Sequence, residues 1–125
     1  MNIEATPRFD LGHTLGALAD PTRRALLQRL SRGDARVTDL ARPFSISLNS
    51  VSKHILRLER AGLVRRRRSG REHILSLNPE PLDEAAAWMS RQRALWTARL
   101  DALDELLRAE EAQAPAGPGE KGRLR

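Results

Sequence analysis

The segment from Ser47 to Gly62 limits most strongly what this chain can fold into. Leu48, Val51, Ile55 and Leu58 recur at the 3–4 spacing of a helix with one buried stripe. Ser47 offers a side-chain oxygen to the free N–H groups at the helix start, and Gly62 suits the left-handed residue that often follows a helix end. With those four apolar residues facing inward, Asn49, Ser50, Lys53 and Arg57 take the opposite side. Just ahead lies a shorter apolar group, Leu40, Ala41 and Phe44, with Thr38 as its cap and Pro43 limiting its length. Ser45, Ile46 and Ser47 join the two helices, the short connection of a helix-turn-helix.

The rest of the pattern extends this unit. Leu11, Leu15 and Leu18 mark one face of a first helix. Asp20-Pro21 starts a second, because Asp accepts from free N–H groups and Pro loses nothing at the first helical position. Leu26, Leu27 and Leu30 bury its inner side, and it runs to about Arg32 with Gly33 closing it. Residues 63–68 and 72–77 read as two strands joined through Ser69-Gly70. A long last helix over residues 82–109 carries an apolar ridge of Trp88, Leu95, Trp96, Leu100, Leu103 and Leu107. The expected fold is mainly α with a small β-hairpin: five helices in a winged helix-turn-helix, the last one long and dimerising. Residues 1–8 read as a flexible N-terminal arm, 9–109 as the domain, and 110–125, rich in Pro, Gly and Ala, as a disordered tail.

Charge points to a partner. Of the 22 cations, 20 are Arg, and the net charge is +6. Eight cations and two anions lie between Ser45 and Asn78, so this stretch alone carries the whole surplus. A bias towards Arg would not gather the excess in one place. The last helix, from Glu80 to Glu111, carries eight acids and four Arg and is expected to stay away from a polyanion. No window is apolar enough for a membrane span, and Asn2, Glu4 and Pro7 interrupt any leader-like run, so the expected location is cytoplasmic.

The expected partner is double-stranded DNA. A helix fits the major groove, where Asn49 can pair with adenine and Ser50 with either base class. Lys53 and Arg57 suit phosphate contacts that position the helix, with Ser47 at its start. Arg65, Arg66, Arg67 and Arg68 alternate along a strand and Arg71 follows the turn. Such a projection can track the backbone or insert an Arg into a narrow minor groove. A solvated polar helix face and a merely sticky arginine run are the plainer readings of each part alone. Their order along the chain favours one joint reading.

The residues Leu18-Ala19-Asp20-Pro21-Thr22-Arg23-Arg24-Ala25-Leu26-Leu27 resemble the opening signature of the ArsR family of winged-helix regulators. Val51-Ser52-Lys53-His54-Ile55, Leu58 and Ala61-Gly62-Leu63-Val64 resemble its recognition helix and exit, and Arg67, Gly70-Arg71 and Leu77 its wing. The resemblance covers roughly residues 11–107. It implies a homodimer, formed through the first and last helices, that occupies an imperfect palindrome as a repressor and leaves when an inducer binds. On that resemblance His54 touches phosphate or braces the turn; read from the residues alone it is equally a packed His with a backbone partner. Leu11, Leu15, Trp88, Trp96, Leu100, Leu103 and Leu107 read as dimer interface, or as the lining of a pocket for a small apolar effector.

The chain also departs from the family. Where arsenic-type sensors carry a Cys pair it has Val37-Thr38-Asp39-Leu40, and its last helix has acids but no His. Carboxylates alone hold zinc, nickel or copper poorly, so no metal site, no cofactor and a non-metal inducer are expected. Leu48 stands where members often have a polar residue that can face the groove, and the periodicity puts it on the buried side or at the rim, which removes one possible base reader. With no Cys, three scattered His and no phosphate loop, no catalytic residues are expected. Two rival readings remain. An RNA or single-strand binder would need exposed stacking aromatics, and a protein-interaction adaptor would lack salt-sensitive duplex binding.

Overall fold

A computed structural model of the chain describes residues 8–113. Its elements are α1 (Leu11–Leu18), α2 (Pro21–Leu30), β1 (Ala35–Arg36), α3 (Val37–Ala41), α4 (Leu48–Arg60), β2 (Val64–Ser69), β3 (Glu72–Leu77) and α5 (Glu80–Gln113). Local chemistry explains most boundaries. Asp10 accepts from the His13 N–H at 2.9 Å, and Asp20 from the Arg23 N–H at 3.0 Å with Pro21 in the first turn. Ser47 Oγ accepts from the Ser50 N–H at 3.1 Å. At the exit of α4, Gly62 sits at φ +77°. Its N–H donates to Glu59 O and that of Leu63 to Leu58 O, two bonds that satisfy the last carbonyls.

Several boundaries and faces differ from expectation. α2 ends at Leu30, capped by Ser31, so Gly33 lies in the turn beyond rather than at the helix end. α3 starts at Val37 with Arg36 in the cap position and no side-chain cap, which leaves Thr38 inside the first turn. Arg36 is already committed: its backbone pairs with Ile74 and its guanidinium reaches Asp39 and Glu72. The chain therefore passes from strand to helix without a cap. α1 turns Thr14 and Ala17 inward, with Leu18 half-buried and Leu15 exposed. Small side chains let this short helix approach α2 and α4.

The hairpin belongs to a three-stranded antiparallel sheet of order β1-β3-β2, whose short β1 pairs Ala35 with Leu75. β2 begins one residue later than expected and includes Ser69; Gly70-Arg71 forms the two-residue turn. Gly70 has φ +64°, and no non-glycine residue among the described residues has positive φ, the pattern of a type II′ turn. Val51, Ile55 and Leu58 of α4 pack with Leu26, Leu27, Leu30, Leu40, Leu63, Val64 and Leu75 in one core. Phe44, expected inside, is half-buried against its edge.

α5 is longer than the expected 82–109 at both ends. Asn78 sets its start: Nδ2 donates to Gly62 O at 2.8 Å, its backbone N–H to Leu63 O at 2.8 Å, and Oδ1 accepts from the Glu80 N–H at 3.4 Å. Pro81 then falls in the first turn, where its missing N–H costs nothing. Residues 110–113, placed in the expected tail, are helical. Arg8, placed in the arm, is anchored: the N–H groups of Arg8 and Phe9 both donate to the Glu84 carboxylate. The rest of the expected arm and tail, residues 1–7 and 114–125, lie outside the described residues. The chain divides into two compact units, one through Trp88 and one from Met89.

Candidate nucleic-acid interface

α4 carries the expected polar side, but its membership changes. Val51, Ile55 and Leu58 are fully buried, whereas Leu48, expected on the same stripe, is 50% exposed in the first turn. Residue 48 precedes the point where the core closes over the helix. At about 100° per residue, Asn49, Lys53, Leu56 and Arg60 fall within roughly 60° of one another on the outward side. All four are exposed. Ser52 is half-buried at the edge of that face. Ser52, Leu56 and Arg60 were not singled out from the sequence. The helical wheel centred on Val51 could have found them, had Leu48 not been counted inward.

Ser50, His54 and Arg57 occupy the flank nearer the other helices. Ser50 is half-buried and receives a hydrogen bond from Ser47 Oγ at 3.1 Å. The Arg57 guanidinium lies over Gly16 of α1, where an added Cβ would stand 2.7 Å from Nη2. His54 Nδ1 is 3.2 Å from Arg23 Nη1 and 3.8 Å from Asp20 Oδ2. Since guanidinium can only donate, this contact assigns Nδ1 as acceptor. His54 thus ties α4 to the start of α2 through side-chain partners, where the plainer reading expected a backbone partner. His13 and His73 are exposed.

Arg23 joins three helices. Beside His54 of α4, its Nε donates to Ala17 O at 2.8 Å and its Nη2 to Gly16 O at 3.1 Å. Arg24 Nη1 donates to Leu18 O at 2.7 Å. Two arginines therefore satisfy the free carbonyls at the end of α1. The Arg23 N–H bond, chiefly, holds the Asp20 carboxyl below its usual range, and the positive charge nearby adds to the effect.

The arginine strand divides by partner. Arg66 shares a face with buried Val64 and pairs side-on with Glu59 of α4, Nε to Oε2 at 3.0 Å and Nη2 to Oε1 at 2.9 Å. That bond holds its guanidinium protonated and fastens the hairpin to α4. Arg67 lies on the opposite face, 3.4 Å from Asp34. Arg68 Nε donates to Gly70 O at 3.1 Å. Arg65, Arg68 and Arg71 are exposed and have no carboxylate partner among the described residues. A second ionic group lies on the sheet, where Arg36 bridges Asp39 and Glu72 at 2.9 and 2.7 Å.

A helix-turn-helix domain family matches residues 18–67, the span from the end of α1 into β2. The HTH-type transcriptional regulator Rv2034 of Mycobacterium tuberculosis is 37% identical over 94 residues, covering 75% of this chain and 85% of that protein. The transcriptional repressor SdpR of Bacillus subtilis is 35% identical over 79 residues, 63% of this chain and 88% of its own length. The crystal structure of the ArsR family transcriptional regulator RHA00566 superposes with a TM-score of 0.67 at 46% identity, covering 70% of this chain and 96% of that one. The chain belongs to the ArsR family of winged helix-turn-helix transcriptional regulators.

The ArsR opening signature now has a physical content in this chain. Asp20 caps α2, Pro21 starts it, Arg23 and Arg24 close α1, and His54 receives Arg23. The residues expected to form the dimer interface or a ligand pocket lie at the surface of the chain. In the first unit Leu11 is half-buried and Leu15 and Trp88 are exposed. In the second, Trp96 and Leu100 are 62% and 66% exposed, and Leu103 and Leu107 are exposed as well. Among the described residues no group of three or more His, Asp or Glu is placed to hold a metal ion. No helix among them is long and apolar enough to cross a membrane.

Proposed function

We propose that this ArsR-family chain is a homodimeric, cytoplasmic repressor. It binds double-stranded DNA at an imperfect palindrome and is released by a non-metal inducer. The observation that carries the reading is the junction of α4 and β2. The Glu59–Arg66 bond fixes the arginine-bearing hairpin beside the helix that exposes Asn49, Lys53 and Arg60. Asn49 suits an adenine edge. Lys53 and Arg60, with Arg65, Arg68 and Arg71 of the hairpin, suit phosphates. The names of the relatives, a transcriptional regulator and a repressor, support the same role.

Homodimerisation is supported by the apolar surface of α5 beyond Met89, where large side chains stand exposed at helical intervals. A symmetric pair would set two copies of α4 into major grooves about one helical turn apart, roughly 34 Å. A small apolar effector between subunits remains the reading of the Trp-bearing surfaces.

The test is titration of fluorescent duplex with full-length protein over a range of salt. Tight duplex binding that falls steeply with salt, and that single strands or RNA compete for poorly, supports the reading. Binding that ignores salt, or prefers single strands, sinks it in favour of an adaptor or an RNA-binding module.

A further inference from the structure

We propose that Leu56 recognises the C5-methyl group of thymine in the major groove. The inference rests on the DNA-binding reading above and adds to it a specificity determinant. Apart from Leu48, every other large apolar residue of α4 is buried: Val51, Ile55 and Leu58 are each at most 1% exposed. Leu48 and Leu56 are 50% and 46% exposed, and Ile46 in the preceding turn is also exposed. Lone surface leucines are common and need no explanation. These three lie within eleven residues of one another around the turn and helix of the HTH unit, and Leu56 stands between Asn49, Lys53 and Arg60 on the outward face.

The chemistry of the groove selects the ligand group. Phosphates reward cations, and the major-groove edges of guanine, adenine and cytosine present donors and acceptors. Against leucine those polar groups would lose water without gaining a partner. Thymine alone presents a methyl group there. Asn49 and Leu56 are seven residues apart, about 10 Å along the helix. If Asn49 meets an adenine, the Leu56 thymine lies up to about three base pairs away at 3.4 Å per step.

The experiment uses the full chain and a duplex selected from a random-sequence pool by the wild-type protein. Each thymine is replaced in turn by deoxyuridine, which removes only the methyl group. At one thymine per half-site the wild type should lose about three- to fivefold in affinity, the effect of one buried methyl. Leu56→Ala should bind the thymine duplex more weakly, and it should lose nothing further on the deoxyuridine duplex. Leu48→Ala, about 12 Å along the helix from Leu56, should keep the wild-type response at that thymine, and circular dichroism verifies that both variants are folded. If no thymine position responds to deoxyuridine, or if Leu56→Ala responds as strongly as the wild type, the assignment is overturned. Absence of salt-sensitive duplex binding by the wild type would overturn the DNA-binding reading beneath it.

Discussion

Asp20 shows how one side chain links sequence to stability in this fold. Its carboxylate accepts from the Arg23 N–H, and a cap of this kind contributes about 1 kcal/mol. Its pKa is depressed below the ordinary 3.8. A lowered carboxyl stabilises the fold fully above its unfolded value, and that contribution is lost as pH falls through the lower, folded value. Thermal melts should therefore show Asp20→Ala less stable than wild type at pH 7, with the gap closing below pH 3.8. Asp20→Asn should retain most of the cap at pH 7 and lack its acid dependence. Gly62 offers a second residue-scale expectation. At φ +77°, and with the Phe9 ring 2.9 Å from where a Cβ would sit, Gly62→Ala is strained twice over. A loss above about 1 kcal/mol in urea titration is expected. The caps at Asp20 and Ser47 and this glycine were legible because their chemistry acts within a few residues. Arg23 was legible only as part of a signature. Its partners on α1 and α4 are brought to it by folding, and spacing along the chain carries no sign of them.

At the scale of elements, periodicity gave directions but not depth. It found the buried stripe of α4, yet counted Leu48 in it and turned Arg57 outward, because a helical wheel does not know where the core ends or that α1 offers Gly16. β1 was illegible for a different reason: two residues cannot display an alternating pattern, and only pairing with β3 makes Ala35–Arg36 a strand. The hairpin shows the same limit. Four successive arginines look equivalent in sequence, whereas the fold assigns Arg66 to Glu59 and leaves Arg65, Arg68 and Arg71 without a carboxylate. Charge reversal should separate them. Arg65→Glu and Arg71→Glu should weaken binding to all duplexes alike and each reduce the salt slope by about 1, measured by anisotropy. Arg66→Glu should also loosen the hairpin from α4, visible as faster amide exchange in β2. Adding Glu59→Arg should slow that exchange again by restoring the opposite pair.

For the molecule as a whole, the apolar ridge from Trp96 to Leu107 was foreseen, and the fold leaves it exposed on the second unit. Its arrangement bears on how two copies would pair. Trp96, Leu100, Leu103 and Leu107 follow a 4–3–4 spacing that reads the same from either end, so an antiparallel copy can set Trp96 against Leu107 and Leu100 against Leu103. Charge favours that order. Residues 89–100 hold Arg91, Arg93 and Arg99 and no acid, while residues 101–113 hold five acids and only Arg108. Parallel pairing would align like charges along the whole seam, and antiparallel pairing aligns opposite ones. The chain has no cysteine, so engineered thiols report without background. Tagged Trp96→Cys co-expressed with untagged Leu107→Cys should give a disulfide-linked mixed dimer on mild oxidation. Trp96→Cys alone should not cross-link, since its two copies would lie about 16 Å apart along the axis and a disulfide requires Cα atoms within about 7 Å. The reverse outcome, self-linking of Trp96→Cys without the mixed product, would require parallel helices. It would also place the acidic ends of α5 side by side, so dimerisation would strengthen with salt instead of weakening.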